Sequence, residues 1–403
     1  MLEKIICIAI VLIPILGQYT IFNLPVSIAE ILLTILAFIS IIKQVLTKKY
    51  ITIYNNKYYS IFVLYIIFSS FLVYTFQAQY LDCSEIIKGL LRVTLYLILI
   101  MILINNFKID DFYKYYKIVI NLVLIILFIQ VIAYYSYGIK INTIIPFFDL
   151  FLNKDLNSIN NFAFRPSSLF LEPSWLSIFL LPMLSYSILK KCEYIYSIIL
   201  FLALILSSSS SGILITLLII FIKIFFHDGI NKKKVVFLLL MITFVFFIIN
   251  SKYILSSIYR LQQIGNNDSS FMRLYRGPNI YYQLPVMNKL FGVSMGNLAN
   301  YINNTNYIND VFYVVGSKEF INDVFYILCI SGLFGLVIYI GLFLNILYKS
   351  NLYLKTLVII FLILSLTGPA LTNFTWIFYM LLILSEKISN FKEQIYKINI
   401  KFN

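Results

Sequence analysis

The chain has 403 residues, of which 61% are hydrophobic and only 12% are charged, and its mean hydropathy is +0.91. This composition excludes an ordinary soluble domain and is typical of a protein with many membrane spans. The formal net charge is +14. In a membrane protein, excess lysine is what retention of short loops on the cytoplasmic side produces, so the charge indicates no nucleic-acid partner.

Apolar segments near the length of about 20 residues that crosses a bilayer as a helix recur along the chain. No small-residue cleavage site follows the first segment, so we predict a retained helix rather than a signal peptide. The sequence thus predicts an all-α polytopic membrane protein with about twelve transmembrane helices. The predicted spans are 4–19, 21–42, 59–76, 86–104, 117–135, 174–189, 193–208, 211–227, 234–250, 321–347, 352–368 and 372–386.

Lysine placement predicts the orientation of these spans. If Lys4 is cytoplasmic, the lysine-rich short loops and the lysine-rich C-terminal tail all fall on the cytoplasmic side, together with both termini. The outer face then receives two large external loops, 136–172 and 251–320. Loops of this length exceed ordinary connections, which indicates a function or surface helices of their own. No internal repeat or low-complexity linker divides the chain, so residues 1–403 are interpreted as one integral membrane domain.

Arginine is rare in this chain and unevenly placed. Only five of the 31 Lys and Arg residues are arginine, and four of these lie in the external loops: Arg165, Arg260, Arg273 and Arg276. The fifth, Arg92, and the acidic Glu30 lie in or near predicted spans, where ionisable groups are costly and are functional suspects. Arginine presents a rigid fork of donors that binds phosphate or carboxylate in a bidentate manner. We therefore expect the function in these loops, with Arg92 and Arg260 as candidate substrate-binding charges.

The sharpest local pattern is FRPSSLFLEPS, residues 164–174, at the outer end of the sixth predicted span. Pro173 suits the first helical position, which places Glu172 at the N-cap, near the positive end of the helix dipole. From there its carboxylate can pair with Arg165. A capped helix with a local ion pair explains the same pattern without chemistry.

A run of serines, residues 207–211, and Gly212 divide the short apolar runs 193–208 and 211–227. The two runs form either a hairpin or one broken region. Serines at such a place are most often helix-packing and capping groups.

The second external loop carries Arg273 and Arg276, three residues apart. In a helix they project from one face and can grip one anionic group, either a ligand diphosphate or a lipid phosphate. Gly277 and Pro278 are expected to end this turn. Further on, residues 290–297 predict a tight glycine turn that brings backbone N–H groups close to another group, although as a motif it is weak.

Asn322 and Asp323 open the tenth predicted span, before Gly332 and Gly335, which are expected to let helices approach closely. Asp323 is a candidate general base near the outer interface, and a helix cap is the alternative interpretation. Asn322 is a candidate substrate-binding residue beside it.

Several residue types that support other chemistries are scarce. His227 is the only histidine and falls at a cytoplasmic helix end, so outer-face catalysis has to use carboxylates. The predicted external loops contain no Asp-x-Asp motif and no His/Asp/Glu cluster that would indicate a metal site, and the sequence has no P-loop that would indicate nucleotide binding. The four cysteines have neither the spacing of metal ligands nor that of a disulfide framework. A reaction without metal or cofactor, in which arginines stabilise an anionic leaving group, fits what remains.

Four sequence features occur in an order that resembles that of the Wzy-type O-antigen and capsular polysaccharide polymerases and of the related O-antigen ligases. These features are the 165–174 segment, the Ser210-Ser211-Gly212 turn, the 290–296 stretch and the spacing of Asn322, Gly332 and Gly335. This resemblance covers about residues 160–345. It implies a membrane-embedded, GT-C-like helical bundle in the bacterial inner membrane and metal-independent glycosyl transfer. The implied reaction moves the growing glycan from undecaprenyl diphosphate to a sugar hydroxyl of the next lipid-linked repeat unit.

The resemblance also implies residue roles. Arg165 and Glu172 match the first-loop motif, Arg273 matches the arginine before the glycine turn, and Arg276 supports it. The ligase branch commonly has a histidine beside the asparagine at the start of the late helix, where this chain has Ile321, which favours a polymerase. The general base stays open between Glu172 and Asp323.

The implied partners are undecaprenyl-diphosphate-linked oligosaccharides and membrane lipids, and a chain-length regulator and a flippase are open candidates. Two alternative functions stay open beside the polymerase. One is an O-antigen ligase and the other is a flippase or transporter of lipid-linked oligosaccharides. A flippase is expected to spread polar groups through many spans, whereas polarity here concentrates in the two outer loops.

Overall fold

A computed structural model of the protein describes most of the chain. The described residues are 2–21, 25–48, 50–54, 56–141, 145, 148–150, 165–227, 269–305, 308, 321–366, 368, 370–391 and 397–401. Within them the helices, numbered in chain order, are α1 (Leu2–Leu16), α2 (Ile28–Lys48), α3 (Lys57–Gln77), α4 (Cys83–Leu103), α5 (Ile109–Tyr137), α6 (Pro173–Tyr186), α7 (Tyr194–Leu206), α8 (Ser210–Ile222), α9 (Ser269–Gln283), α10 (Val286–Phe291), α11 (Leu298–Asn304), α12 (Asp323–Leu347), α13 (Leu352–Ser365) and α14 (Phe374–Phe391).

Short irregular helices and strands complete these elements. The 3-10 turns Ala78–Tyr80 and Ile104–Asn106 follow α3 and α4, and the π-helical turns Ser187–Lys191 and Lys223–His227 extend α6 and α8. Two small antiparallel ladders are present, β1 (Tyr19–Thr20) with β3 (Asp149–Leu150) and β2 (Tyr50–Tyr54) with β4 (Lys397–Lys401).

Helices dominate, as the composition predicts. Among the residues that the structure describes, five segments are long and apolar enough to cross a bilayer: Ile28–Thr47, Lys57–Tyr80, Cys83–Asn106, Ile109–Tyr137 and Asp323–Leu347. Each predicted span except 234–250 overlaps a helix, and 234–250 lies outside the described residues. The helical membrane class is confirmed, while the number of crossings and the GT-C-like arrangement stay predictions.

The helix ends follow from local chemistry. Asn56, Asp82, Ser209 and Asn322 each stand before a helix and accept a hydrogen bond from a backbone N–H in its first turn. Gly138 adopts φ 69° after α5 and ends it in the left-handed conformation that glycine tolerates.

Glu30 has a capping role in α2. Its Oε2 accepts from the Ser27 backbone N–H at 2.6 Å, and its own N–H donates to Ser27 Oγ at 3.2 Å. This reciprocal capping box accounts for a buried carboxylate at the helix start. A further function of Glu30 stays a prediction.

The chain divides into two compact units, each assembled from three segments. Unit 1 comprises residues 1–36, 107–262 and 351–360, and unit 2 comprises 37–106, 263–350 and 361–403. In unit 1 the apolar helix α6 is buried on nearly all sides and packs against α5, α7 and α8. A helix that is apolar all round is stable only when neighbours surround it, so α6 is the core of this unit.

Unit 2 is built around α3 and α12. These two helices pack along each other, and α10 packs on both of them. Trp376 of α14 is fully buried and donates its indole N–H to the Tyr59 hydroxyl of α3 at 2.7 Å. The polar edge of this large ring is thereby satisfied inside an apolar core.

Candidate functional site

The segment that ends at Glu172 lies in unit 1 and leads directly into the buried helix α6. Pro173 is the first helical residue and Glu172 is the N-cap, as predicted. The Glu172 carbonyl accepts from the N–H groups of Trp175 and Leu176 at 3.1 and 3.3 Å. Its half-buried carboxylate does not cap the helix, and instead Oε2 accepts from Ser174 Oγ at 3.0 Å.

Two buried glutamines that the sequence analysis missed hold this segment. Gln130 of α5 accepts from the Ser168 N–H at 2.8 Å through Oε1, and its Nε2 donates to the Ser168 carbonyl at 3.2 Å. Gln18 accepts from the Leu171 N–H at 2.8 Å. Ser168 has φ 55°, a left-handed conformation rare for serine, so these bonds stabilise a strained turn. A glutamine inside an apolar run was the available signal.

The first-loop motif and the serine turn lie together in unit 1. Arg165 Nη2 donates to the Ser208 carbonyl in the turn between α7 and α8. Ser177 of α6 donates to Ser209 Oγ at 2.5 Å. A Cβ on Gly212 would lie 2.6 Å from Ser177 Oγ, so a larger residue would have to displace this side chain. Helices α7 and α8 pack on each other as a hairpin, and the expected capping role of the serines is confirmed. The Arg165 to Glu172 ion pair stays a prediction.

Asp323 lies in unit 2 and is completely buried at the start of α12. Its Oδ1 accepts from the backbone N–H groups of Ala370 and Leu371 at 2.8 and 3.1 Å, and its Oδ2 accepts from the Tyr339 hydroxyl at 3.0 Å. This carboxylate therefore fastens the connection between α13 and α14 to the start of α12. Both of its oxygens accept hydrogen bonds inside the unit, so the carboxylate has a structural role. Its expected role as a general base stays a prediction.

Asn322, rather than Asp323, caps α12. Its Oδ1 accepts from the Phe325 N–H at 3.0 Å, and its side chain is buried. The helix cap is therefore Asn322, one residue before Asp323, which we had considered for that role.

Helix α9 carries the paired arginines of the second loop. The expectation that Gly277 and Pro278 end it is wrong, because α9 continues through both residues to Gln283. A Cβ on Gly277 would lie 2.5 Å from Phe325 Cβ and 2.6 Å from Ile321 Cγ2, so α9 packs tightly on the start of α12. This close packing offsets the hydrogen bond that Pro278 removes from the helix.

Arg276 is completely buried in unit 2, one residue before this tight contact. The Arg273 side chain and all of Arg260 lie outside the described residues. Arg92 is half-buried on α4 of the same unit. The roles expected for these four residues stay predictions.

The glycine turn at 290–296 contacts the backbone of α12. Helix α12 is broken at Gly332, which has φ 69° and ψ −172°. The break frees the carbonyls of the preceding turn. The Val293 N–H donates to the Cys329 carbonyl at 2.8 Å, and the Ser294 N–H donates to the Ile330 carbonyl at 3.2 Å. The glycine turn was predicted to bring backbone N–H groups close to another group, and that group is the set of carbonyls exposed at the break in α12.

Buried amides fix the rest of this second-loop segment on unit 2. Gln77 and Asn288 exchange two side-chain hydrogen bonds of 2.9 Å. Asn297 accepts from the Asp82 N–H at 2.8 Å and donates to the Asp82 carbonyl at 3.0 Å. The loop that we expected to carry surface helices does contain α9, α10 and α11. They pack against unit 2 on one side and leave Tyr275, Tyr282 and Val286 exposed on the other.

Among the residues that the structure describes, no group of three or more His, Cys, Asp or Glu side chains is placed to hold a metal ion. Of the predicted site residues that the structure describes, the half-buried Glu172 and Arg165 lie in unit 1, whereas Arg92, Arg276, Asn322 and Asp323 lie in unit 2.

Bilayer-length apolar helices define a polytopic α-helical membrane protein. The chain belongs to the WcaD colanic acid polymerase family, whose family model matches residues 2–385. No curated protein matches the chain in a sequence comparison.

The family match confirms the resemblance to Wzy-type polymerases and extends it from about residues 160–345 to nearly the whole chain. The protein is thus a membrane protein of a polysaccharide polymerase family, and membership of that family implies glycosyltransferase activity.

Proposed function

We propose that the protein polymerises a bacterial surface polysaccharide by transferring the growing glycan from undecaprenyl diphosphate to a hydroxyl of the next lipid-linked repeat unit. The reaction takes place on the outer face of the inner membrane and uses no metal ion. The observation that carries this proposal is the polymerase family match across residues 2–385. A ligase or flippase function has no comparable support.

In the proposed reaction the acceptor oxygen attacks the anomeric carbon of the donor sugar. The acceptor hydroxyl gives its proton to a carboxylate base, a new bond forms between its oxygen and that carbon, and the bond from the carbon to the diphosphate oxygen breaks. Undecaprenyl diphosphate leaves with the electron pair. Arginine side chains stabilise the charge on the departing diphosphate, the main electrostatic demand of the step.

Glu172 is the base that the geometry favours. Its carboxylate is half-buried at the N-terminus of α6 and accepts a hydrogen bond from the neighbouring Ser174 hydroxyl. The alternative base, Asp323, is completely buried and accepts three hydrogen bonds from its own unit. We therefore assign Asp323 to structure and the proton transfer to Glu172.

Arg165 is proposed to bind the diphosphate, and Arg273 stays a candidate for phosphate binding. The bond from Arg165 to the Ser208 carbonyl orients the guanidinium group in the same segment as Glu172. Arg276 is completely buried beside the tight Gly277 contact, which supports a role in positioning α9 and its Arg273. Arg92, Arg260 and Asn322 are kept as secondary substrate-binding candidates.

Deletion of the gene, followed by gel analysis of surface polysaccharide, tests the proposed function. Loss of a polymerase leaves single repeat units on the final acceptor, so the ladder collapses to one repeat. Long chains that accumulate on the lipid carrier would identify a ligase instead. Repeat units held on the cytoplasmic face would identify a flippase.

Complementation of the deletion strain then tests the site. Glu172→Gln removes the base and is expected to lower chain extension by about 10²-fold to 10⁴-fold. Arg165→Lys keeps the charge but loses the bidentate fork, so it is expected to restore little extension. Glu3→Gln, which alters an exposed carboxylate in the first turn of α1, is the matched control and is expected to restore the full ladder. Full-length polymer from Glu172→Gln at normal protein level would remove Glu172 from the mechanism.

A further inference from the structure

The helices α10 and α11 of the second loop form a hairpin in unit 2, with the glycine turn 292–296 between them. The Tyr301 hydroxyl of α11 donates to Asn288 Oδ1 of α10 at 3.3 Å and so joins the two arms. Asn288 is also bonded to Gln77 at the end of α3, and α11 packs on the 3-10 turn that follows α3. Both arms are therefore fastened at the end of α3, which the predicted topology places at the outer face.

The turn of this hairpin lies deeper in the unit than its arms. The Met295 N–H donates to Ser70 Oγ of α3 at 3.2 Å. The Ser294 N–H donates to the Ile330 carbonyl of α12, also at 3.2 Å. A Cβ on Gly89 of α4 would lie 2.8 Å from Met295 Cγ. Ser70, Gly89 and Ile330 each lie about two helical turns, or about 10 Å, from the outer end of their own helix. Contacts with three helices thus agree on the depth of the turn.

The backbone N–H groups of the turn need no water as a partner. The four consecutive N–H groups of residues 292–295 all donate hydrogen bonds inside unit 2, and these four residues are buried. Their acceptors, in chain order, are the carbonyls of Asn288, Cys329 and Ile330 and the hydroxyl of Ser70. Irregular backbone at membrane depth is stable only where protein or a water-filled cavity satisfies its polar groups. The turn meets this condition through protein groups alone.

The helices around the turn expose large apolar side chains at its level. Helices α3, α4 and α12 all belong to segments that are long and apolar enough to cross a bilayer. On α3, Phe71 and Phe76 are 69% and 71% exposed, at the level of the turn and outward of it. On α4, Ile87 and Leu91 flank the contact with the turn and are 51% and 65% exposed. Apolar surface of this extent on a membrane-spanning helix faces lipid, so the hydrocarbon core reaches the level of the turn.

We propose that residues 286–304 form a re-entrant hairpin, which enters the membrane from the side where α3 ends and returns to that side. Its turn lies in the outer part of the hydrocarbon core, between α3, α4 and α12. The exposed Lys88 of α4 fits this depth, because its ammonium group reaches one turn outward to Glu85 Oε1, at 2.7 Å, as lysines near a membrane surface do. The hairpin holds the outer parts of the three helices apart beside the break at Gly332. It thereby closes the space between them to a lipid-linked substrate.

Spin labels on single cysteines, measured in the full chain reconstituted in phospholipid bilayers, test the depth of the turn. Oxygen concentrates in the hydrocarbon core and a nickel chelate in water, so the ratio of a label's accessibility to the two reports its depth. Labels at Phe71→Cys and Ile87→Cys are expected to show a ratio several-fold higher than a label at the exposed Asn303→Cys in α11. Leu64→Cys, 63% exposed near the middle of α3, is the lipid reference. Ratios at Phe71→Cys and Ile87→Cys as low as at Asn303→Cys would place the turn outside the bilayer and overturn the proposal.

A thiol in the turn tests whether the hairpin stays between the helices. All variants carry Cys83→Ser and Cys192→Ser, which remove the exposed thiols. Ser294→Cys is nearly isosteric and is expected to react with N-ethylmaleimide at least about tenfold more slowly than Asn303→Cys, because buried thiols react slowly. Denaturation should make the two rates equal. Equal rates in folded protein of unchanged melting temperature would show that the turn is not held between the helices. The spin-label positions are on the surface, so that measurement decides the depth even where Ser294→Cys does not fold.

Discussion

The carboxylate of Asp323 allows a structural role to be separated from a catalytic role by a single substitution. In Asp323→Asn the amide oxygen can still accept from the N–H groups of Ala370 and Leu371, and the new NH₂ can donate to the Tyr339 oxygen. We expect this variant to keep chain extension, because it keeps the buried bonds and loses only basicity. The measurement is the polysaccharide ladder in the complemented deletion strain, normalised to protein level.

Asp323→Ala provides the contrast. It leaves three buried donors without an acceptor and is expected to destabilise the protein by about 3 kcal/mol or more. Thermal unfolding in detergent measures this loss. If Asp323→Asn instead abolishes extension while its melting temperature stays near that of the wild type, Asp323 is the base and Glu172 is not.

Single residues also mark the limit of sequence-based prediction. Pro173 and Glu172 take the expected helix-start positions because the dihedral restriction of proline acts locally. Gln130 and Gln18 were missed because their partners, Ser168 and Leu171, are 38 and 153 residues away along the chain. Contacts at that separation have no local signal in one sequence.

The contact between the glycine turn and α12 brings two backbone segments of unit 2 very close together. A Cβ on Gly292 would lie 2.2 Å from the Ile330 carbonyl carbon, and a Cβ on Gly332 would lie 2.1 Å from the Leu290 carbonyl oxygen. Both glycines also have positive φ, at 88° and 69°. Gly292→Ala is therefore expected to cost about 3 kcal/mol or more, because the backbones must separate.

Two glycines elsewhere separate the causes of this cost. Gly138 has the same φ of 69° as Gly332 but no atom within 4 Å of an added Cβ, so Gly138→Ala is expected to cost only about 1 kcal/mol. Gly341, in α12 itself, also has open space, and its change to alanine is expected to be neutral or stabilising by up to about 1 kcal/mol. Equal melting temperatures for Gly292→Ala and Gly341→Ala would show that the contact has no energetic weight.

At the scale of elements, sequence patterns located the helices better than their ends and breaks. Apolar length predicts α3, α4, α5 and α12 well, because a bilayer span needs a long apolar run whatever its neighbours are. The continuation of α9 through Gly277 and Pro278, and the break of α12 at Gly332, depend on backbone contacts with other elements. Tertiary packing overrode the helix-ending signal at Gly277 and Pro278, whereas at Gly332 it accompanies a break inside a continuous apolar run.

At the scale of the whole molecule, contacts inside each unit support the predicted topology. Strand β2 pairs with β4, and both lie in segments predicted to be cytoplasmic. The contacts of β1 with β3 and of Asp82 with Asn297 each join two segments predicted to be external. Segments that touch at a membrane surface lie on the same side, so these pairs agree with an even number of crossings between them, as the predicted topology has.

Thiol labelling tests the topology directly, because only two of the four cysteines are exposed and can react quickly. Cys83 and Cys192 are exposed, whereas Cys7 and Cys329 are buried. Cys83 follows Asp82, whose contact with Asn297 is predicted to be external. Cys192 follows Lys190 and Lys191 in the turn between α6 and α7, which is predicted to be cytoplasmic. An impermeant maleimide applied to intact spheroplasts is therefore expected to label Cys83 and spare Cys192, and both should react after permeabilisation. Cys83→Ser is the control that should remove the first signal, since the buried thiols react slowly. Labelling of Cys192 alone in intact spheroplasts would show that the orientation is the reverse of the predicted one, with the Arg165 to Glu172 segment on the cytoplasmic side.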